Sequence, residues 1–553
     1  MNDDHGNKLQ NVTILIHSSG QLYFSGSYGD FGFMSDKLTD TLTFSLEGYE
    51  SCSMPITSTN YVNAILKIKP ATLNLRKNHL ATYIKDFKES AEDIKSAGES
   101  YSALVENPFI RAYTSPVATF SPNTNKASYS NIRRFLNMKD VVPPDAVRIE
   151  EMLNYFDFHY AEPLPGTVFH FSSYLSTCPW NKKTELLYLN VSARKIDMTH
   201  LPPSNLVFLI DISGSMDLPN KLPLVKAGLR LLVNNLRDMD TVSLITYGTQ
   251  VSLVLDGVSG GEKKKILTAI EEMQTGGSTP GEAGIRLAYK IAQRRLNKKG
   301  NNRIILATDG DFNVGYTKEK DLEELIDKQK KWGVYLSCFG VGMGNYKDSK
   351  LSVLSQKGHG NFSYIDNEQE AEKVFVTELT QTLYSVADNV SITAVFDTSI
   401  IRSYRLIGYD NKKRALIDTS SKIDGGEIGS GQSLMAIFEI TPKDSFPYRE
   451  NIARVTINYR LPLETPDYSV SYNCPNRLVN FETSDSIYRQ AACLALFGMK
   501  LRQSPFVSKT SWKAVGLLAG NCFTNGNPMG NECVAMISKA KDIYRHRKRK
   551  FIW

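Results

Sequence analysis

Asp211, Ser213 and Ser215 occupy alternating positions in "NLVFLIDISGSMDLPN", directly after an apolar run of strand length, with Gly214 between the two serines. A carboxylate and two hydroxyls at the end of a buried strand are a set of oxygen donors, and the glycine lets the backbone turn tightly between them. Two other stretches end in the same kind of chemistry. "QTGGSTPGEAG", residues 274–284, is a glycine-rich turn carrying Thr279 ahead of a helix that Pro280 can start, and "ILATDGDFNVG", residues 305–315, is an apolar strand that ends in Asp309 and Gly310. If the three loops meet, two carboxylates and three hydroxyls converge without thiolate or imidazole. That set suits a hard divalent cation, Mg²⁺ above all, with Ca²⁺ or Mn²⁺ as alternatives. Neutral hydroxyls leave such an ion under-neutralised, so it attracts an anionic oxygen from outside. Alone, Asp211 reads equally as a helix cap, and so does Thr279 before its proline; as a set they read as ligands.

These loops need a sheet to gather them. Apolar runs at 205–210, 242–247, 303–308 and 334–340 alternate with helical spacing at 221–237, 261–273, 281–297 and 318–332. The alternation predicts a parallel sheet with helices on both faces, and ligands on such sheets bind at the carboxyl ends of the strands. The flanks differ. Residues 167–196 and 387–483 read as strands, and we expect them to share one β-sandwich into which the α/β unit is inserted. Residues 1–75 alternate as a small β-sandwich, 76–105 read as a linker, 106–158 contain two short helices, and 484–553 are helical with a basic tail, "RHRKRK", at 545–550.

"DISGSM", "GGSTPG" and "LATDGDFNVG", in that order, resemble the von Willebrand factor type A domain and its metal-ion-dependent adhesion site, written DxSxS…T…D. The resemblance implies a Rossmann-like domain over residues 200–386. It also implies that Ser213, Ser215 and Thr279 sit on or near the metal, that Asp211 and Asp309 hold it at least partly through water, and that an open position takes a partner's Asp or Glu. Further stretches, "PPDAVRIEEMLNYFDF", "GEIGSGQSLMAIFEI" and "RQAACLALFGMKLRQS", resemble the YfbK-type bacterial family over roughly 106–545. Where that family carries an acidic stretch after "TFS", this chain has Asn123 and Asn125, which argues against an accessory cation site there. "TDTLTFSLEGYES" resembles the end of a carboxypeptidase regulatory-like domain, so 1–75 is expected to be that kind of β-module. The fold class implied is multidomain α/β plus β: a type A domain inserted in a β-sandwich, with a small N-terminal β-sandwich and a C-terminal helical segment.

Other chemistries find little support. A net charge of +7 over 553 residues is too dilute to argue for nucleic acid. No apolar run is long enough to span a bilayer, and the N-terminus has no apolar signal core; a periplasmic or cell-envelope location is expected if an export signal is missing from this chain. Contact of the basic tail with a membrane surface is a minor reading beside a solvated helix end. The seven cysteines form no CxxC; Cys522 and Cys533 could pair or stay free. There is no Walker A motif, no HExxH and no G-x-S-x-G. "FGVGMGNYKD" misses the dinucleotide spacing, and Asp217, Glu282 and Asp311 read as solvated or supporting acids rather than catalytic ones. The expectation is therefore a non-enzymatic, cation-dependent protein-binding protein. The rivals are a regulatory subunit for a separate ATPase, a metal-dependent hydrolase, and an envelope component whose metal only stabilises the fold.

Overall fold

The computed structural model describes residues 1–550 apart from 68–98, 311–325, 343–347 and 410–425 and a number of shorter stretches, residues 278–280 among them. The chain divides into two units, Met1–Asp86 and Phe87–Trp553, each described here by itself.

In the first unit the alternating sequence folds as expected of strands. β1 (Thr13–Ile16), β2 (Leu22–Phe24), β3 (Thr39–Ser45) and β4 (Cys52–Thr57) make an antiparallel sheet in the order β2-β1-β3-β4. Every second residue faces inward, so Ile14, Ile16, Leu42 and Phe44 are buried. A short parallel pair, Asn2–Asp3 with Ile65–Leu66, contributes Leu66 to the same core.

The second unit holds the α/β region. β5 (Val117–Phe120), α1 (Ala127–Asn137), α2 (Ile149–Tyr155), β6 (Phe169–Thr177) and β7 (Glu185–Ala193) precede it. It then runs β8 (Ser204–Asp211), α3 (Leu222–Asn234), β9 (Thr241–Tyr247), β10 (Val251–Ser259), α4 (Lys263–Glu271), α5 (Gly281–Arg294), β11 (Asn301–Thr308), β12 (Val334–Val341), α6 (Asp348–Lys357), β13 (Phe362–Ile365) and α7 (Glu368–Glu372). The strand order is β10-β9-β8-β11-β12-β13, parallel throughout except at the edge strand β10. β8 and β11 lie at the centre and are buried along their whole length, as their unbroken apolar runs require. The expected helix at 318–332 falls largely outside the described residues. β10 has no counterpart in the sequence reading; it is half exposed, and its pairing with β9 is irregular.

After the α/β region come β14 (Ser385–Phe396), β15 (Ile401–Ile407), β16 (Gly426–Gly429), β17 (Ser433–Pro442), β18 (Asn451–Arg460) and β19 (Asp467–Pro475), then the helices α8 (Ser486–Leu501), α9 (Trp512–Cys522) and α10 (Pro528–Lys550). Strands from both sides of the α/β region interleave. β6 and β7 join β17 and β15 in one sheet, and β5 pairs with β14 in the facing sheet of β16-β14-β18-β19. The period-two rule explains the continuous apolar run of β7. Leu187, Leu189 and Val191 meet Ile392, Val455 and Ile457 of the facing sheet, whereas Leu186 and Tyr188 turn outward under α8, α9 and α10. All seven cysteines are free thiols.

Charged groups lock the α/β region to its surroundings. Arg133 on α1 donates to Asp366 (2.8 and 2.5 Å), Glu370 (2.8 Å), the Tyr155 hydroxyl (2.9 Å) and Glu532 of α10 (3.1 Å). Burial holds the Asp366 carboxyl up at about 6 despite the Arg133 guanidinium. Asn123 and Asn125 are absorbed by the same junction: the Phe362 N–H of β13 donates to the Asn125 side-chain oxygen (2.9 Å), and Asn123 donates to Glu151 (3.3 Å). Removing one partner of such a network strands buried charge, so Arg133→Met is expected to destabilise the second unit by about 3–5 kcal/mol in calorimetric unfolding. Arg460→Met, which breaks the exposed pair with Asp467, is expected to cost less than about 1 kcal/mol.

Candidate metal centre

Asp211 is the last residue of the central strand β8 and is fully buried. Its two oxygens are each held: one accepts from the Ser213 N–H (2.9 Å), the other from the Thr308 hydroxyl at the end of β11 (2.7 Å). Thr308 in turn accepts from the Gly310 N–H (3.1 Å), which ties the Asp309 loop to the Asp211 loop. Burial pushes the Asp211 carboxyl up to about 6; the Ser213 and Thr308 hydrogen bonds oppose this, and the nearby Asp309 carboxylate adds to it.

Beyond Asp211 the chain leaves the sheet through Ser213 into a short 3-10 turn, Gly214–Asp217. The Ser213 and Ser215 hydroxyls lie 3.1 Å apart, with Ser213 buried and Ser215 exposed. The pair therefore runs from the interior to the surface. The glycine-rich loop lies alongside: Gly276 N–H donates to the Ile212 carbonyl (2.7 Å) and Gly214 N–H to the Gly277 carbonyl (3.2 Å). Gly277 has a φ of +80°, and a Cβ there would fall 2.2–2.4 Å from Thr249, so only glycine allows this loop so close to the turn between β9 and β10. Thr279 itself, with Pro280, lies outside the described residues, as does Asp311.

Asp309 is buried beside this arrangement, and its carboxylate accepts from the Lys221 ammonium at 2.9 Å. Of the five expected ligands, then, Asp211, Ser213, Ser215 and Asp309 gather at one edge of the sheet. Two residues absent from the sequence reading join them, Thr308 and Lys221. Thr308 carried no signal beyond its place before Asp309. Lys221 did carry one: a cation at the start of a helix opposes the helix dipole unless it serves another partner. The nearby acids Asp217 and Glu282 are engaged elsewhere, Asp217 accepting from the Thr275 hydroxyl (2.7 Å) and Glu282 from Arg286 one turn on (2.8 Å).

The donor set described consists of two carboxylates and two hydroxyls, all hard oxygens, and it fits a hard cation in kind. Among the described residues no group of three or more His, Cys, Asp or Glu side chains gathers to hold a metal. An ion at this edge would therefore rely on hydroxyls and water rather than on a carboxylate cage.

Comparison with known proteins identifies the elements that carry this edge. A family model described as von Willebrand factor matches residues 95–188, the von Willebrand factor type A domain matches 205–378, and a model described as uncharacterized protein YfbK, C-terminal, matches 381–543. Type A domains are generally protein-interaction domains and generally bind a divalent cation at their adhesion site. Inter-alpha-trypsin inhibitor heavy chain H2 of Homo sapiens is 27% identical over 210 residues, 36% of this chain and 22% of that protein. The solved structure of von Willebrand factor type A from Catenulispora acidiphila shares 15% identity with a TM-score of 0.40, over 69% of this chain and 91% of that one. No catalytic family is indicated. Uncharacterized protein YfbK of Escherichia coli (strain K12) is 36% identical over 466 residues, which cover 80% of each chain. The mixed α/β and β architecture, the type A domain at 205–378 and this identity together show that the chain belongs to the YfbK family.

Proposed function

We propose that this protein binds a protein partner through a divalent cation, Mg²⁺ in the first instance, held by Asp211, Ser213, Ser215, Thr279 and Asp309. The carrying observation is the convergence of Asp211, Ser213 and Asp309 at one sheet edge, with Ser215 opening that edge to solvent. When bound, the cation would supply an electrophilic position for one oxygen of a partner's Asp or Glu. The chain's own residues do the rest. Thr308 and the Ser213 N–H orient the Asp211 carboxylate, and the glycine-rich loop keeps the serine hydroxyls together. Most of the affinity and the choice of partner would come from the loops around the edge. In the same reading, residues 1–75 are a carboxypeptidase regulatory-like module, and the basic tail at 545–550 offers a secondary contact with an anionic surface. Among the described residues no helix is long and apolar enough to cross a membrane.

Partner capture from a lysate, read by mass spectrometry with Mg²⁺ and with chelator, is expected to recover a partner only with Mg²⁺. Asp211→Ala is expected to lose that capture while its thermal unfolding in chelator stays close to that of the parent; equal recovery in chelator would remove the proposal. Thr308→Val is expected to weaken Mn²⁺ binding by about 10–100-fold in titration calorimetry, because it frees Asp211 from a supporting hydrogen bond. Unchanged affinity would show that Thr308 does not orient the ligand.

A further inference from the structure

Among the described residues at this edge, Lys221 stands out as a group that a cation site would not be expected to recruit. Its ammonium donates to Asp309 at 2.9 Å, and the two side chains are only 5% and 2% exposed. The lysine sits directly before α3, at the helix end where the dipole disfavours a positive charge. Its stem runs past Gly342, just beyond the end of β12: a Cβ at Gly342 would fall 2.3 Å from the lysine Cε and 2.7 Å from its Cγ. The backbone has thus left room for this side chain to reach a carboxylate 88 positions further along the sequence.

The charge balance gives the arrangement a consequence. Asp211 and Asp309 in their ionised forms carry two negative charges, and Lys221 returns one positive charge, so these three buried groups, among the described residues, together offer a divalent cation one net negative charge. In a buried place, where charges are weakly screened, the loaded edge would keep a net positive charge. A site made only of the five oxygen ligands would be neutral instead.

We infer that Lys221 is a built-in counter-cation that makes firm metal binding conditional on an external carboxylate. The inference rests on the proposed metal centre and adds the rule by which that centre selects its moment of binding. Metal and carboxylate each raise the other's affinity, by the same factor, because each supplies the charge that the other lacks. Free in solution, the protein would hold its ion loosely; against an acidic partner surface it would hold both tightly. The device also favours acidic side chains over neutral amides as the arriving ligand.

The test is Mn²⁺ titration calorimetry on the full chain, with and without saturating acetate as the carboxylate probe. It compares the parent protein with Lys221→Met and Lys221→Gln. The glutamine keeps a donor for Asp309, and thermal unfolding of each protein in chelator identifies any variant that fails to fold. In the parent, acetate is expected to tighten Mn²⁺ binding by about tenfold or more. Without acetate, the folded variants are expected to bind Mn²⁺ about tenfold more tightly than the parent and to respond to acetate by less than about threefold. Mn²⁺ binding in the parent that ignores acetate, or folded variants that bind Mn²⁺ no better than the parent, would overturn the inference while leaving the metal centre standing. Absence of Mn²⁺ binding in parent and variants alike would overturn the metal centre and the inference with it.

Discussion

Two buried carboxylates leave neighbouring parallel strands at one edge of a sheet, and the local structure is arranged around their mutual repulsion. Asp211 ends β8 and Asp309 follows β11, and both are buried away from the surface. The fold answers with directed donors: a backbone N–H and a threonine hydroxyl on Asp211, an ammonium on Asp309. Backbone hydrogen bonds from Gly276 to Ile212 and from Gly214 to Gly277 hold the adjoining loops side by side next to the serine hydroxyls. An edge built this way is held in place but not fully neutralised, the electrostatic condition for recruiting a cation and then an anion.

Holding that edge is the task of the remaining layers. A parallel sheet fixes the spacing of its strand ends only if both faces are packed, and here α5 and α6 cover one face with Ile285, Ala288, Tyr289, Leu351 and Leu354. The chain then returns into the sandwich it left, pairing β17 with β7 and β14 with β5. Arg133, Arg303 and Asn125 bridge the α/β region to the helices and to β16. Sites carried on rigid elements keep their geometry better than sites carried on loops alone. In this protein the rigid element is the β8–β11 pair, flanked by β9 on one side and β12 on the other.

Much of this was legible in the sequence, for physical reasons. β8, β9, β11 and β12 are apolar runs of strand length because both faces are buried, and turn residues bound them sharply. The helices α3, α4 and α5 were equally clear from their helical spacing. β10 was not, because an exposed edge strand with an irregular register and Gly257 at positive φ shows neither a solid run nor clean alternation. At the site, Asp211, Ser213, Ser215 and Asp309 announced themselves by type and spacing. Lys221 showed only a positive charge misplaced at a helix start; its partner lies far along the chain, and its role depends on a slot that only the fold creates. Asn123 and Asn125 show the same limit: the sequence said what they lack, and the structure says what they do, which is to fasten α2 and β13 to the segment ahead of α1.

The proposed metal centre puts a single divalent cation at this sheet edge. The most direct measurement is anomalous diffraction from crystals of the full chain grown with Mn²⁺. One strong peak is expected at the carboxyl edge of β8, within about 2.0–2.6 Å of the Ser213 and Ser215 hydroxyl oxygens and next to Asp211 and Asp309. Crystals saturated with Mn²⁺ that show no peak at that edge, or a peak only elsewhere on the molecule, would contradict it.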